Sequence, residues 1–203
     1  MNGQTYVVSS VELTHRMSIV TSDNSTDRLQ VELDYTPDDQ NMSVLRYGID
    51  VWSKNQPVLL CRHKTTNVSE HRIEDMKVYS FMDFDLNGPA SYKDDMGEFD
   101  PKTGNMLAWD DNALAVAMAS KPFPDTWDIS KPARLRVKEG RRDLTGNLQL
   151  GPKDIAVAFQ WNYGNLRPTE SKSVDVVIAS AVSLEEVKAL IPKGWELFGR
   201  KMR

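Results

Sequence analysis

The sequence predicts an all-β protein, an antiparallel two-sheet sandwich with one short C-terminal helix, and three observations carry that prediction. Short runs rich in Val, Ile, Leu, Tyr and Phe are separated by clusters of Asn, Asp, Gly and Pro, the pattern of antiparallel strands and their turns. In Leu114-Ala115-Val116-Ala117-Met118-Ala119 large side chains alternate with alanines, so one face packs tightly and the other lies against something close, as in a sandwich. A single segment, near the C terminus, has both a helix-start signal and helical spacing.

Strands are expected, in order, within residues 5–20, 28–35, 44–52, 58–64 and 73–84. Further strands are expected within 113–119, 134–138, 147–150, 155–161 and 173–179. Pro101-Lys102-Thr103-Gly104 has the chemistry of a proline-initiated turn ending on a glycine, and Asp110-Asp111-Asn112 supplies the next turn, giving a meander from about 96 to 120. The prolines of Pro122-Phe123-Pro124-Asp125-Thr126-Trp127-Asp128 oppose regular pairing, so an ordered surface loop is expected there. Ser183-Leu184-Glu185-Glu186 is a capping box, and Leu184, Val187, Leu190 and Ile191 form an apolar stripe. Pro192 and Gly194 are expected to stop this helix, giving a helix over about 184–191 and a tail over 192–203. In that tail Trp195-Glu196-Leu197-Phe198 is apolar enough to dock on the body or on a partner.

Composition fits one soluble domain over 1–203, with 40% hydrophobic and 27% charged residues. Twenty-five Lys and Arg against 29 Asp and Glu leave a net charge of −4, with no broad positive field for nucleic acid. No apolar run reaches the roughly 18 residues of a membrane helix, and the first ten residues are too polar for a signal peptide, so a cytoplasmic location is expected. Cys61 is the only cysteine, which excludes internal disulfides and all-cysteine zinc sites; within Pro57-Val58-Leu59-Leu60-Cys61 it reads as a core residue.

Asp83-Phe84-Asp85-Leu86-Asn87-Gly88 has the alternating oxygens of a calcium loop. Asp83, Asp85, Asn87 and, further on, Asp94 are the candidate ligands, and the glycine permits the sharp turn. Two features depart from that pattern: the closing residue is Asp rather than Glu, and Val78-Tyr79-Ser80-Phe81-Met82 reads as a strand where a helix should enter. The structural alternative has both aspartates capping backbone amides at a strand end while Asn87-Gly88-Pro89 turns. Asp94, Asp95, Glu98 and Asp100 offer acid and base groups whose separation spacing cannot fix. His15, His63 and His71 lack zinc-motif spacing, although His63 alternates with Cys61 and shares its face. Catalytic signatures such as a nucleophile elbow or a phosphate loop are absent, so no catalytic residue is assigned. Trp127, Trp109 and Trp161 are the candidate ligand-binding residues, since indole faces stack on sugars as well as fill cores.

Three stretches carry a resemblance: Lys64-Thr65-Thr66-Asn67 leading to Tyr79-Ser80-Phe81-Met82-Asp83-Phe84-Asp85; Asp110-Asp111-Asn112; and 171–184 with Val176-Val177-Ile178-Ala179. Over about residues 25–190 the chain resembles the β-supersandwich domains of the galactose-mutarotase-like superfamily, particularly those preceding the helical catalytic barrel of bacterial and archaeal glucoamylases and glycoside phosphorylases. The resemblance implies the supersandwich fold. It does not carry over catalysis, because the barrel of those enzymes supplies the glutamates, and the histidines here match no mutarotase motif. Three functions follow as expectations. One is a non-catalytic module that binds carbohydrate or a protein partner. Another is a small carbohydrate-active enzyme of the aldose epimerase or mutarotase type. The last is a structural or assembly protein that pairs through exposed edges or its helix.

Overall fold

The computed structural model describes residues 17–25, 28–37, 41–53, 56–88, 93–111, 114–132 and 143–201. The chain is mainly β. In order come β1 (Met17–Ser25), β2 (Arg28–Tyr35), β3 (Leu45–Ser53), β4 (Val58–Asn67), β5 (Ile73–Asp83) and β6 (Met96–Asp100). There follow β7 (Asn105–Trp109), β8 (Ala115–Lys121), β9 (Thr126–Ser130), β10 (Gln149–Leu150), β11 (Ala156–Leu166), β12 (Ser171–Ala181) and helix α1 (Leu184–Lys201). Among the described residues nine strands form one sheet, ordered β1-β2-β3-β4-β12-β8-β7-β6-β10, and three form a second, ordered β5-β11-β9. The expected strand at 134–138, and most of the one at 5–20, lie outside the described residues. No helix among the described residues is long and apolar enough to cross a membrane.

The chain makes two compact units. The first takes Met1–Ser53, Cys61–Val78 and Asn162–Asp175. Here β2 and β3 pair antiparallel, and the register sets Asp34 opposite Arg46, whose guanidinium grips the carboxylate with two bonds of 2.7 and 2.9 Å. The same register sets Arg28 opposite Trp52, with the cation 5.6 Å from the ring centre. Arg62 and Asp175 make a second two-pronged pair, at 2.6 and 2.7 Å.

The second unit takes Lys54–Leu60, Tyr79–Trp161 and Val176–Arg203. Its core is aromatic. Phe99 on β6 of the large sheet stacks on Trp127 of the small sheet at 3.9 Å and meets Phe159 edge-on at 6.0 Å, so the two inner faces interlock. Strand β8 is buried on both faces from Ala115 to Ser120, as its large-small alternation predicts, with α1 packed against it. The 101–104 turn forms between β6 and β7, closed by Gly104 at φ 71° and by the Asp100 carboxylate, which accepts from the Lys102 amide and the Thr103 hydroxyl.

Two expectations are corrected. Trp127 lies in strand β9, where it pairs with Phe159, and not in a loop. The prolines at 122 and 124 precede β9, and β9 is the edge of its sheet, where a proline costs no ladder bond. Helix α1 also runs through Pro192 and Gly194 to residue 201. Its first turn is capped as predicted, with Ser183 Oγ accepting from the Glu186 amide at 3.2 Å. Pro192 is exposed, so the Lys188 carbonyl that it deprives of a partner lies on the side where water can serve. Gly194 is buried, and a Cβ there would sit 2.5 Å from Cγ1 of Val177 and 3.1 Å from Cγ1 of Val58. This glycine permits close approach of helix and sheet rather than ending the helix. Val187, Ile191 and Phe198 complete the buried face, so the apolar tail docks on its own unit as helix.

Candidate functional site

The acidic loop begins where β5 delivers Asp83. Asp85, Asn87 and Gly88 then adopt left-handed backbone conformations at φ 39°, 56° and 77°, and the Gly88 amide donates to the Asp85 carbonyl at 2.9 Å. Leu86 is buried and pins the turn. This geometry brings two of the four predicted ligands together. Carboxylate oxygens of Asp83 and Asp85 lie within 4.8 Å of each other and of Asp154, from the segment entering β11. Asn87 turns away and donates to Asp110, and Asp94 does not join the group. Partial desolvation, then the charges of Asp85 and Asp154, raises the Asp83 carboxyl above its ordinary range. Asp154 was not legible in the sequence, since Pro152-Lys153-Asp154 carries no ligand motif and meets the loop only through folding.

Behind this turn Asp95 is 1% exposed, and its Oδ1 finds no hydrogen-bond partner among the described residues. Burial pushes its carboxyl up to about 6, the Leu86 amide opposes the shift, and the charges of Asp110, Asp94 and Asp85 add to it. A proton-transfer group needs reach to its substrate, and this one is enclosed. Asp100 is engaged as the turn cap already described, and the Lys102 amide and then the Thr103 hydroxyl hold its carboxyl below the usual range. Neither carboxyl is placed for acid-base work.

The three candidate tryptophans differ in burial. Trp161 is 2% exposed and donates its indole N–H toward Ser120 Oγ and the Pro122 carbonyl, both at 3.3 Å. Trp127 is half-buried with one face covered by Phe99, and its buried Nε1 has no hydrogen-bond partner among the described residues. Trp109, half-buried at the end of β7, sits opposite Met96 and Ala115. His63 is held against Tyr47, with Nδ1 2.5 Å from the phenol oxygen and the rings stacked; burial lowers its pKa, partly offset by Asp175. Cys61 is buried, and burial pushes its thiol up to about 11, so it is no thiolate nucleophile at neutral pH.

A different feature, unmarked in the sequence, has the form of a binding site. In the first unit, the β4–β5 turn and the β11–β12 hairpin flank an open, shallow cleft of about 490 Å³ lined by Arg72, Asn165, Arg167, Pro168, Thr169 and Glu170. Asn67, 0% exposed, braces the two turns with every polar group satisfied. Its Nδ2 donates to the carbonyls of His71 at 2.7 Å and Leu166 at 3.0 Å, and its Oδ1 accepts from the amide of Ser69 at 3.0 Å and its hydroxyl at 2.8 Å. Backbone bonds tie the same turns, Asn67 N–H to the Glu170 carbonyl at 3.0 Å and Thr169 N–H to the Asn67 carbonyl at 2.9 Å. Thr169 is held at φ 65°, an uncommon conformation for a β-branched residue. Neither Arg72 nor Arg167 makes an ion pair among the described residues. The Glu170 carboxylate accepts from the Arg167 amide at 2.8 Å, and Asn165 Oδ1 accepts from the Asp75 amide at 3.2 Å, which leaves the Asn165 NH₂ available. The cleft is therefore a braced backbone frame whose exposed donors, the Arg72 and Arg167 guanidiniums among them, are open to solvent. Asn67 alone had a trace in the sequence, as the last residue of Lys64-Thr65-Thr66-Asn67.

No protein-family model matches the chain, and no curated protein matches it in sequence. Solved structures match it in fold. A GalM/aldose epimerase homologue from C. elegans aligns with a TM-score of 0.55 at 9% identity, over 81% of this chain and 68% of that one. A bacterial glucoamylase complexed with acarbose aligns with a TM-score of 0.64 at 14% identity, over 93% of this chain but 27% of the enzyme. The fold is thus the galactose-mutarotase-like supersandwich that the sequence resemblance implied.

Proposed function

We propose that this chain is a non-catalytic supersandwich module that binds carbohydrate through the cleft of Arg72, Asn165, Arg167, Thr169 and Glu170. The observation that carries this reading is the cleft's construction, in which a fully satisfied Asn67 fixes two turns while the exposed Arg72 and Arg167 guanidiniums form no ion pair among the described residues. Turns fixed in this way spare a ligand the cost of ordering the backbone, although the exposed arginine side chains still have to be ordered on binding. The supersandwich shared with an aldose epimerase homologue and a glucoamylase complexed with acarbose supports a carbohydrate setting. The enclosed Asp95, the protonated Cys61 and the Tyr47-bound His63 support a binding role over the mutarotase alternative. A glycan panel tests the proposal: binding should appear for wild type and be lost in Arg167→Ala at an unchanged melting temperature. Silence across the panel would remove it.

The calcium expectation carries forward with a revised ligand set, Asp83, Asp85 and Asp154. Calcium should then raise the melting temperature of wild type and not of Asp85→Asn. No heat on titration, with an unchanged melting temperature, would reject it.

A further inference from the structure

We infer that the cleft selects an acidic saccharide, the single carboxylate of a uronic-acid unit lying across Arg72 and Arg167; this rests on the carbohydrate reading above. Three features of the lining lead there. The first is a donor excess: two guanidiniums, the Asn165 NH₂ and the Thr169 hydroxyl face one carboxylate, that of Glu170. A neutral sugar hydroxyl donates as readily as it accepts, whereas an ionised carboxylate only accepts, and so matches this imbalance. The second is the absence of an aromatic ring from the lining, which leaves Pro168 as its apolar surface. Affinity for a neutral ring would have to come without stacking, while charge-assisted bonds from arginine are about twice as strong as neutral ones.

The third feature is Glu170, which sets the size of the charge. Its carboxylate is fixed beside the cleft by the Arg167 amide, so the lining sums to one net positive charge, two arginines less one glutamate. A monoanion neutralises that charge, whereas a phosphate dianion would leave one negative charge uncompensated beside Glu170. The planar fork of a guanidinium also fits a planar carboxylate with two parallel bonds. Glu170 keeps an oxygen free to accept a ring hydroxyl, which gives the sugar part of the ligand its own contact. The protein's overall charge of −4 would repel a polyanion at long range, so recognition is local to these side chains.

Titration calorimetry with tri-galacturonate and with galactotriose, each against wild type, Arg72→Gln and Arg167→Gln, tests the inference. Both arginines are exposed, so the variants should melt with wild type. The expected result is binding of tri-galacturonate, weakened at least tenfold in each variant and weakened by added salt, with galactotriose at least tenfold poorer. Equal binding of the two trisaccharides would overturn the acidic preference and leave the carbohydrate reading standing. Binding of neither would remove both, and tri-galacturonate binding indifferent to both substitutions would overturn the site.

Discussion

Asp95 retains its proton at a pH where most aspartates have lost theirs, and that has a measurable consequence for stability. Its folded-state carboxyl is raised from 3.8 to about 6, chiefly by burial. Between those values the native state holds a proton that the unfolded chain has released, so stability falls as pH rises through the window, and above it the full cost of a buried charge is present. Asp95→Asn removes that charge while keeping an acceptor for the Leu86 amide. It should stabilise the protein at pH 7 by about 1–3 kcal/mol and flatten the pH dependence between about 4 and 6, as read by urea denaturation at several pH values. An unchanged slope would show that the carboxylate is solvated. The sequence displays the acidic character of residues 83–95 but not which carboxyl is enclosed, because burial and the neighbours that act on Asp95, the Leu86 amide and the Asp110 charge, are set by folding. The same limit applies to Asp154. Ligand spacing exposes only those partners that share one loop.

At the scale of elements, α1 shows one rule overridden by another. Proline and glycine signal a helix end, yet burial of Val187, Ile191 and Phe198 along one face outweighs a single missing hydrogen bond on the exposed side. Two substitutions separate these effects. Pro192→Ala should stabilise by about 1–3 kcal/mol, because the exposed site regains a backbone donor without a new contact. Gly194→Ala should destabilise by about 1–3 kcal/mol although alanine is the better helix former, because its methyl would stand 2.5 Å from Val177. A helix stopping at 191 would make both changes nearly neutral in chemical denaturation. Strand β9 shows the same limit, since nearby prolines exclude a central strand but not an edge. The strands expected within 28–35, 58–64 and 173–179 are legible because their apolar content and flanking turn residues agree, and the structure extends the last two to 58–67 and 171–181.

For the whole molecule, binary patterning is enough to show the sheets and the C-terminal helix, because each strand repeats the same choice between core and solvent. A binding cleft leaves no such repeated mark. Arg72 reads as an ordinary turn residue and Arg167-Pro168-Thr169-Glu170 as an ordinary hairpin, and only Asn67, bonded to both turns, makes one site of them. The tryptophans are conspicuous in the sequence by contrast, and two of them, Trp127 and Trp161, join Phe99 and Phe159 in aromatic packing. Mapping backbone amide shifts by NMR as tri-galacturonate is added tests the assignment most directly. Shifts confined to residues 67–72 and 165–170 are the predicted result. Shifts centred on Trp127 and its neighbours, with those two turns unmoved, would contradict it.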